Sequence, residues 1–218
     1  MYTSADHTFA ICAYGESPYL EELICSLTKQ TLPTKLLLAT STPNDLICNL
    51  CEKYNIKMYV NDGPGGIAGD WNFAVSCCDT PLVTIAHQDD IYKPAYAEEM
   101  LTRINSSILP LIYFTNYSEL RDGREVNDNR LLNVKRRLLY SLGKLENAGK
   151  RWAKRRALEL GCAICCPSVT LCLPNLELPV FEAGFGSNLD WQAWEKISRK
   201  EGDFLYNTNV LMLHRIHE

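Results

Sequence analysis

No run of 18 apolar residues occurs in this 218-residue chain, so no segment is long enough to cross a bilayer as a helix. Met1-Tyr-Thr-Ser-Ala-Asp6 lacks the basic and apolar regions of a signal peptide, which sets the expectation of a cytoplasmic protein. There is no internal repeat and no low-complexity segment. An excess of positive charge is also missing. The formal net charge is −4, which argues against nucleic acid as the main partner. What is present, 46% hydrophobic and 22% charged residues, is ordinary for a soluble globular chain. At this length roughly 70% of the unfolded surface can be buried, so the core needs no staples.

Ten cysteines without an export signal point to a reducing compartment rather than a disulfide framework. Cys48/Cys51 and Cys162/Cys165, with Cys166 adjacent, have metal-like spacing, and zinc is an alternative reading. Cys51, however, shares an apolar helix face with Leu46, Ile47, Leu50 and Tyr54. Cys165 and Cys172 fall in an apolar, β-like stretch. Free cysteine often packs as a small hydrophobe.

The most informative stretch is His87-Gln88-Asp89-Asp90. It follows the apolar run Pro81–Ala86, which reads as a buried strand. Two neighbouring carboxylates at its end are costly to bury unpaired. Either they form a solvated loop that caps the next helix, or they hold a hard cation. Mg²⁺ takes one or two carboxylates and completes its shell with waters and substrate phosphates.

Strand patterns fall at Thr8–Tyr14, Lys35–Thr40, Lys57–Val60, Leu82–Ala86 and Leu111–Thr115. Helical patterns alternate with them. They are Pro18–Lys29 (Ser17 as N-cap, Pro18 at the first position), Asn44–Tyr54, Ala68–Cys78 and Pro94–Asn105. Such alternation predicts an α/β fold, a mostly parallel central sheet flanked by helices. Ligands then bind beyond the carboxyl ends of the strands, where the strand order reverses. Ala13-Tyr14-Gly15 and His87–Asp90 both lie at such ends.

The second half is patterned differently. Arg121–Arg124 reads as a turn. Lys135–Arg156 carries nine Lys/Arg against one acid, Glu146, a local charge of +8. Apolar Leu138, Leu139, Tyr140, Leu142, Leu145 and Trp152 are interleaved. Three readings apply to this segment: a solvated helical surface, attraction to a diphosphate or polyanionic acceptor, or contact with an anionic membrane. Leu160–Leu173 is apolar and β-like with Pro167 interrupting it. Leu189–Lys200 is helical, and Phe204–Tyr206 and Val210–Leu213 are short strand candidates.

Several segments together resemble a known family. Phe9–Pro33 is similar to the opening strand and helix of family 2 glycosyltransferases, which have the GT-A fold. Gly65–Ala74 is similar to their glycine-rich turn and Asn-containing helix. His87–Pro94 is similar to a D-Q-D-D variant of the metal-binding motif. Cys165–Ser168 is similar to a segment common in bacterial members. Leu189–Trp194 resembles the E-D-W-x-x-W helix, and Leu213–Glu218 the terminal R-x-H element. The matches keep the family's order.

The resemblance implies one GT-A domain over residues 1–218, with a Rossmann-like nucleotide-sugar-binding half (1–116) and an acceptor-binding half (117–218). It implies an inverting glycosyltransferase acting in cell-surface polysaccharide synthesis. The donor would be a UDP- or dTDP-sugar, and the acceptor a saccharide or a lipid-linked saccharide; the membrane reading of Lys135–Arg156, which comes from its charge pattern, would place the protein peripherally at the inner membrane face. Ala13, Tyr14, Gly15, Thr40, Ser41, Asn72, His87, Gln88 and Asp89 would bind the nucleotide sugar. Asp90, Asp89 and His217 would hold Mn²⁺ or Mg²⁺, and Asp190 would be the catalytic base. Three departures stand out. Ala39-Thr-Ser-Thr42 replaces V-D-D-G, removing the acid that usually reads the base. His87 replaces the first acid of the metal motif, and Leu189 replaces Glu.

The chemistry can be argued from the residues too. A divalent cation neutralises charge developing on a diphosphate leaving group. A second carboxylate, remote in sequence, must accept the proton of the attacking hydroxyl from the opposite face. Asp190 is a candidate, although an Asp there also suits a helix N-terminus. His217 reads either as a solvated side chain or as a metal contact, and His214 as a packing or capping residue. Two other functions stay open. Ala86–Asp90 also resembles the A-H-P-D-D motif of zinc-dependent sugar deacetylases, with Gln for Pro and on the fourth strand rather than the first. A non-catalytic nucleotide-sugar-binding protein of the same fold is the other.

Overall fold

A computed structural model describes residues 1–184 and 188–217; Glu218, the last residue of the terminal motif, lies outside them. Strand β1 (His7–Ala13) is almost wholly buried. Its Phe9, Ile11 and Ala13 enter one core cluster and Ala10 the other, as side chains alternate across a sheet covered on both faces. Around it lie α1 (Leu20–Thr28), β2 (Lys35–Thr40), α2 (Asp45–Tyr54), β3 (Lys57–Val60), α3 (Ile67–Ser76) and β4 (Leu82–His87). Then come β5 (Ile91–Tyr92), α4 (Tyr96–Ile104), β6 (Pro110–Arg121) and β7 (Arg124–Val126). The last elements are α5 (Arg130–Leu139), α6 (Arg151–Arg156), β8 (Val169–Cys172), α7 (Leu189–Ser198) and β9 (Asp203–Arg215).

The strands form one sheet in the order β3-β2-β1-β4-β8-β6-β9-β5, with β7 paired to β6. Pairing is parallel from β3 to β4 and between β6 and β9. The short β8 runs antiparallel to both β4 and β6. By length of pairing the sheet is mostly parallel, as the alternation predicts. The chain leaves β1 toward β2 and β3, then returns to place β4 on the other side of β1. The crevice between the ends of β1 and β4 is therefore the switch point at which such folds bind ligands.

Several boundaries differ from the sequence patterns. Helix α1 begins at Leu20, not Pro18; Ser17 Oγ accepts from Tyr19 N–H at 3.3 Å and shapes a turn instead of capping the helix. Asn44 caps α2 by accepting from Ile47 N–H at 3.0 Å. Arg121–Arg124 is a hairpin turn, with Asp122 and Gly123 at positive φ. Only Val169–Cys172 of the apolar Leu160–Leu173 segment is strand, because Cys166–Ser168 forms a 3₁₀ turn around Pro167. The two candidate strands near the end are one long β9, joined through an irregular register opposite Thr115–Tyr117.

Lys135–Arg156 divides into α5, 3₁₀ turns and α6. Leu138, Leu139 and Leu142 are core, whereas Tyr140, Leu145 and Trp152 are exposed. Lys154 is buried, its ammonium donating to the carbonyls of Lys200 and Gly202. Among the described residues no helix is long and apolar enough to cross a membrane.

A buried polar relay fixes β1, β4, β8 and α4. His7 pairs with Thr34 Oγ1 at 3.1 Å and Thr84 Oγ1 at 2.8 Å. Thr84 pairs with Thr170 at 2.6 Å, and Thr170 with Tyr96 at 3.0 Å. Burial pulls the His7 imidazole from its ordinary value down to about 3. Once pH falls below the unfolded value of about 6.5, the unfolded chain takes up a proton that the folded one refuses. Stability should therefore drop by about 2 kcal/mol between pH 6.5 and 5. Urea denaturation at the two pH values measures it, and His7→Gln, which cannot titrate, should flatten the slope.

Candidate active site

The polypeptide reaches the crevice from β1 as Tyr14-Gly15. Gly15 adopts φ +61°, a left-handed conformation that glycine, and to a lesser degree asparagine, tolerates. A glycine at position 15 therefore suits the backbone. Its N–H donates to Thr42 Oγ1 at 2.6 Å and its carbonyl accepts from Asn44 Nδ2 at 3.0 Å. Gln88, at the end of β4, grips Tyr14 from the other side. Tyr14 N–H donates to Gln88 Oε1 at 2.9 Å, and Gln88 Nε2 donates to the Tyr14 carbonyl at 3.1 Å. The ends of β1 and β4 are thus locked as though the ladder continued one residue further.

Asp90 is completely buried. Its Oδ1 accepts from Arg215 N–H at 3.0 Å and pairs with His214 Nδ1 at 2.9 Å. Its Oδ2 has no hydrogen-bond partner among the described residues and lies 4.0 Å from His87 Nδ1. Burial works to lower the pKa of His214, but the hydrogen bond and charge of Asp90 outweigh it, and the net shift is upward. His87 shifts the other way, because burial outweighs the attraction of Asp90. Its ring stacks on Trp71, centroids 4.9 Å apart, and its Nε2 also lacks a partner among the described residues.

Asp89 sits at the mouth. Its Oδ2 is 2.6 Å from His217 Nε2, and its carbonyl accepts from Arg215 Nε at 2.8 Å. Arg215 also pairs with Glu22 and lies 3.9 Å over the Tyr19 ring. The fold therefore brings His87, Gln88, Asp89, Asp90 and His217 together.

Asp190 is in the first turn of α7, where a negative charge is favoured by the helix dipole. Its Oδ2 lies 3.6 Å from Cys162 Sγ. Its charge is felt by His87, Cys165 and Cys166, the groups that also feel Asp90. The two acids, remote in sequence, thus share one set of neighbours. Burial pushes the thiols of Cys162, Cys165 and Cys166 up, so they stay protonated at neutral pH.

The remaining predicted residues divide. Ala13 and Tyr14 line a cavity of about 280 Å³ beside the crevice, together with Asp70 and Trp71 of α3. Thr40 is buried and accepts from Thr42 N–H at 3.1 Å, shaping the turn. Ser41 Oγ donates to Asp70 at 3.2 Å. Asn72 is spent inside the protein, donating to Phe181 O at 2.7 Å and accepting from Phe181 N–H at 3.1 Å. His214, read from sequence as packing or capping, instead pairs with the buried acid. A histidine near the end of a strand gives no local signal of such a partner. Arg215 and Asp70 were likewise not singled out.

The fit to a divalent cation can be judged from the donor set. Among the described residues no three His, Cys, Asp or Glu gather into a metal cage, at the cysteine pairs or elsewhere. One buried carboxylate oxygen without a partner, with Asp89 at the mouth, instead suits an ion that takes one or two protein carboxylates and the rest of its shell from water and phosphate.

Comparison with known proteins bears on the fold and the family. The model of glycosyl transferase family 2 matches residues 8–161. No curated protein sequence matches. A mannosyltransferase from Pyrobaculum calidifontis, solved with GDP-Man and Mn²⁺, superposes with a TM-score of 0.72 at 15% identity, over 100% of this chain and 58% of that one. S. aureus TarS 1-349 with UDP-GlcNAc gives 0.70 at 17% identity, over 98% of this chain and 59% of that one. Glucosyl-3-phosphoglycerate synthase from Mycobacterium tuberculosis, with Mn²⁺ and UDP-glucose, gives 0.64 at 13% identity, over 98% and 72%. The fold is thus the GT-A fold of glycosyltransferases. The chain belongs to glycosyl transferase family 2, and it spans less than two thirds of the TarS and mannosyltransferase chains.

Removing the double clasp on Tyr14 should be felt locally. Gln88→Ala should cost about 1 kcal/mol, the net worth of a partly exposed hydrogen-bonded pair. It should lower the urea denaturation midpoint by the corresponding amount while the fold is kept. Urea melts of the variant and the unaltered protein check it.

Proposed function

We propose that this protein is an inverting, metal-dependent glycosyltransferase. It moves a sugar from a nucleoside-diphosphate donor, a UDP- or dTDP-sugar, to a saccharide or lipid-linked acceptor in cell-surface polysaccharide synthesis. The observation that carries the reading is the buried, half-satisfied Asp90 at the switch point, with Asp190 among the same neighbours. Residues 1–116 hold the donor and 117–218 shape the acceptor side.

Asp90 and Asp89 would hold Mn²⁺ or Mg²⁺, with His217 at hydrogen-bond distance from Asp89. When bound, such an ion neutralises the charge that develops on the diphosphate as the C1–O bond breaks. The chain's own groups supply the rest. Gln88 fixes Tyr14 and Gly15 against the nucleotide. His87, kept neutral by burial, offers Nε2 to the donor without adding positive charge. Asp190 accepts the proton of the acceptor hydroxyl, which attacks C1 from the face opposite the diphosphate and inverts that centre. The exposed Leu131, Val134, Tyr140 and Trp152 among the arginines of α5 and α6 suit peripheral contact with an anionic membrane carrying a lipid-linked acceptor.

Asp190→Asn should leave donor binding nearly unchanged and lower the transfer rate by roughly 10²- to 10⁴-fold, as loss of a general base does. Asp90→Asn keeps the shape of the buried group and should abolish Mn²⁺-stimulated turnover while the protein stays folded. A panel of UDP-, dTDP- and GDP-sugars with Mn²⁺, scored by nucleoside-diphosphate release, checks both. Binding without turnover by the unaltered protein would leave a non-catalytic binding protein. Acetate release with Zn²⁺ would indicate a deacetylase.

A further inference from the structure

The turn after β2 carries Thr40-Ser41 and no acid, yet a carboxylate is present there. It arrives from another element. Asp70, in the first turn of α3, accepts from Ser41 Oγ at 3.2 Å and from Asn61 Nδ2 at 2.8 Å. Asn61 is itself fixed, its N–H donating to Thr40 O at 2.8 Å and its Oδ1 accepting from Gly63 N–H at 3.0 Å. The Asp70 N–H donates to Gly66 O at 2.9 Å. The ends of β2 and β3 and the start of α3 therefore hold one side chain in place. Gly69 permits this approach, since a Cβ there would meet the Pro64 carbonyl at 2.2 Å.

Among the described residues, Asp70 is the only carboxylate lining the cavity of about 280 Å³ that Tyr14 and Trp71 also line. A carboxylate has about four acceptor positions. The two internal bonds leave about two for a ligand. Resting on the donor reading above, we propose that Asp70 is the residue that selects the nucleotide base. It accepts a ring N–H, and so favours uracil, thymine or guanine over cytosine and adenine. The last two present a ring nitrogen lone pair at the matching edge position, which a carboxylate repels. Ser41 braces this carboxylate from the end of β2.

Calorimetric titration of UDP, GDP, CDP and ADP with Mn²⁺ tests this on the unaltered protein and on Asp70→Asn. The unaltered protein should prefer UDP or GDP to CDP by about tenfold or more, the worth of a charged hydrogen bond. In Asp70→Asn that ratio should collapse toward one while CDP affinity is kept. Were Asp70 only a brace for the turn, the variant would bind all four more weakly in equal proportion, and the proposal would be overturned. Equal affinity of the unaltered protein for UDP, GDP and CDP overturns it even if the variant fails to fold. Failure to bind any nucleoside diphosphate overturns the donor reading itself, a distinct outcome.

Discussion

A single buried carboxylate organises this molecule. Asp90 has no exposed surface, and an isolated charge there would be very costly. The last strand answers that cost. His214 and the Arg215 amide meet Asp90 Oδ1, Arg215 reaches back to the Asp89 carbonyl and to Glu22, and His217 meets the Asp89 side chain. The end of β9 is thereby fastened to the end of β4, far away in sequence. Replacing such a pair by apolar groups can be neutral, but removing one partner alone typically costs about 3–5 kcal/mol. The arrangement is better understood as positioning than as a source of stability. It fixes one oxygen of Asp90 and leaves the other without a hydrogen-bond partner among the described residues.

The parallel half of the fold was legible because its signals are local. Lys35–Thr40 and Lys57–Val60 are strands with the bounds their pattern gives, and Asn44 caps α2 where an Asn before an apolar stripe should. Across β8 the signal fails. Leu160–Leu173 is apolar without a period, since residues on both faces are buried, and Pro167 gives the only mark of where the strand begins. The short β5 is held by pairing with β9, a long-range partner that no window of sequence contains.

The site divides in the same way. Asp89 and Asp90 stand out in the sequence as two adjacent acids ending an apolar strand, and the fold sets them against His214, Arg215 and His217 of the last strand and the residues after it. His214 does not stand out, because nothing near it in sequence tells where Asp90 lies. Asn72 had a plausible role by position, yet the fold engages its amide with Phe181. Asp70 is an unremarked acid in a helix's first turn until the fold sets it beside Ser41 and Asn61.

The cysteines that crowd this region have a further effect. Cys162, Cys165 and Cys166 stand close enough to feel both Asp190 and, for the latter two, Asp90. Burial keeps these sulfurs protonated. Had they ionised, this wall would carry more anions beside those carboxylates. As neutral thiols they add no negative charge beside Asp190 and Asp90.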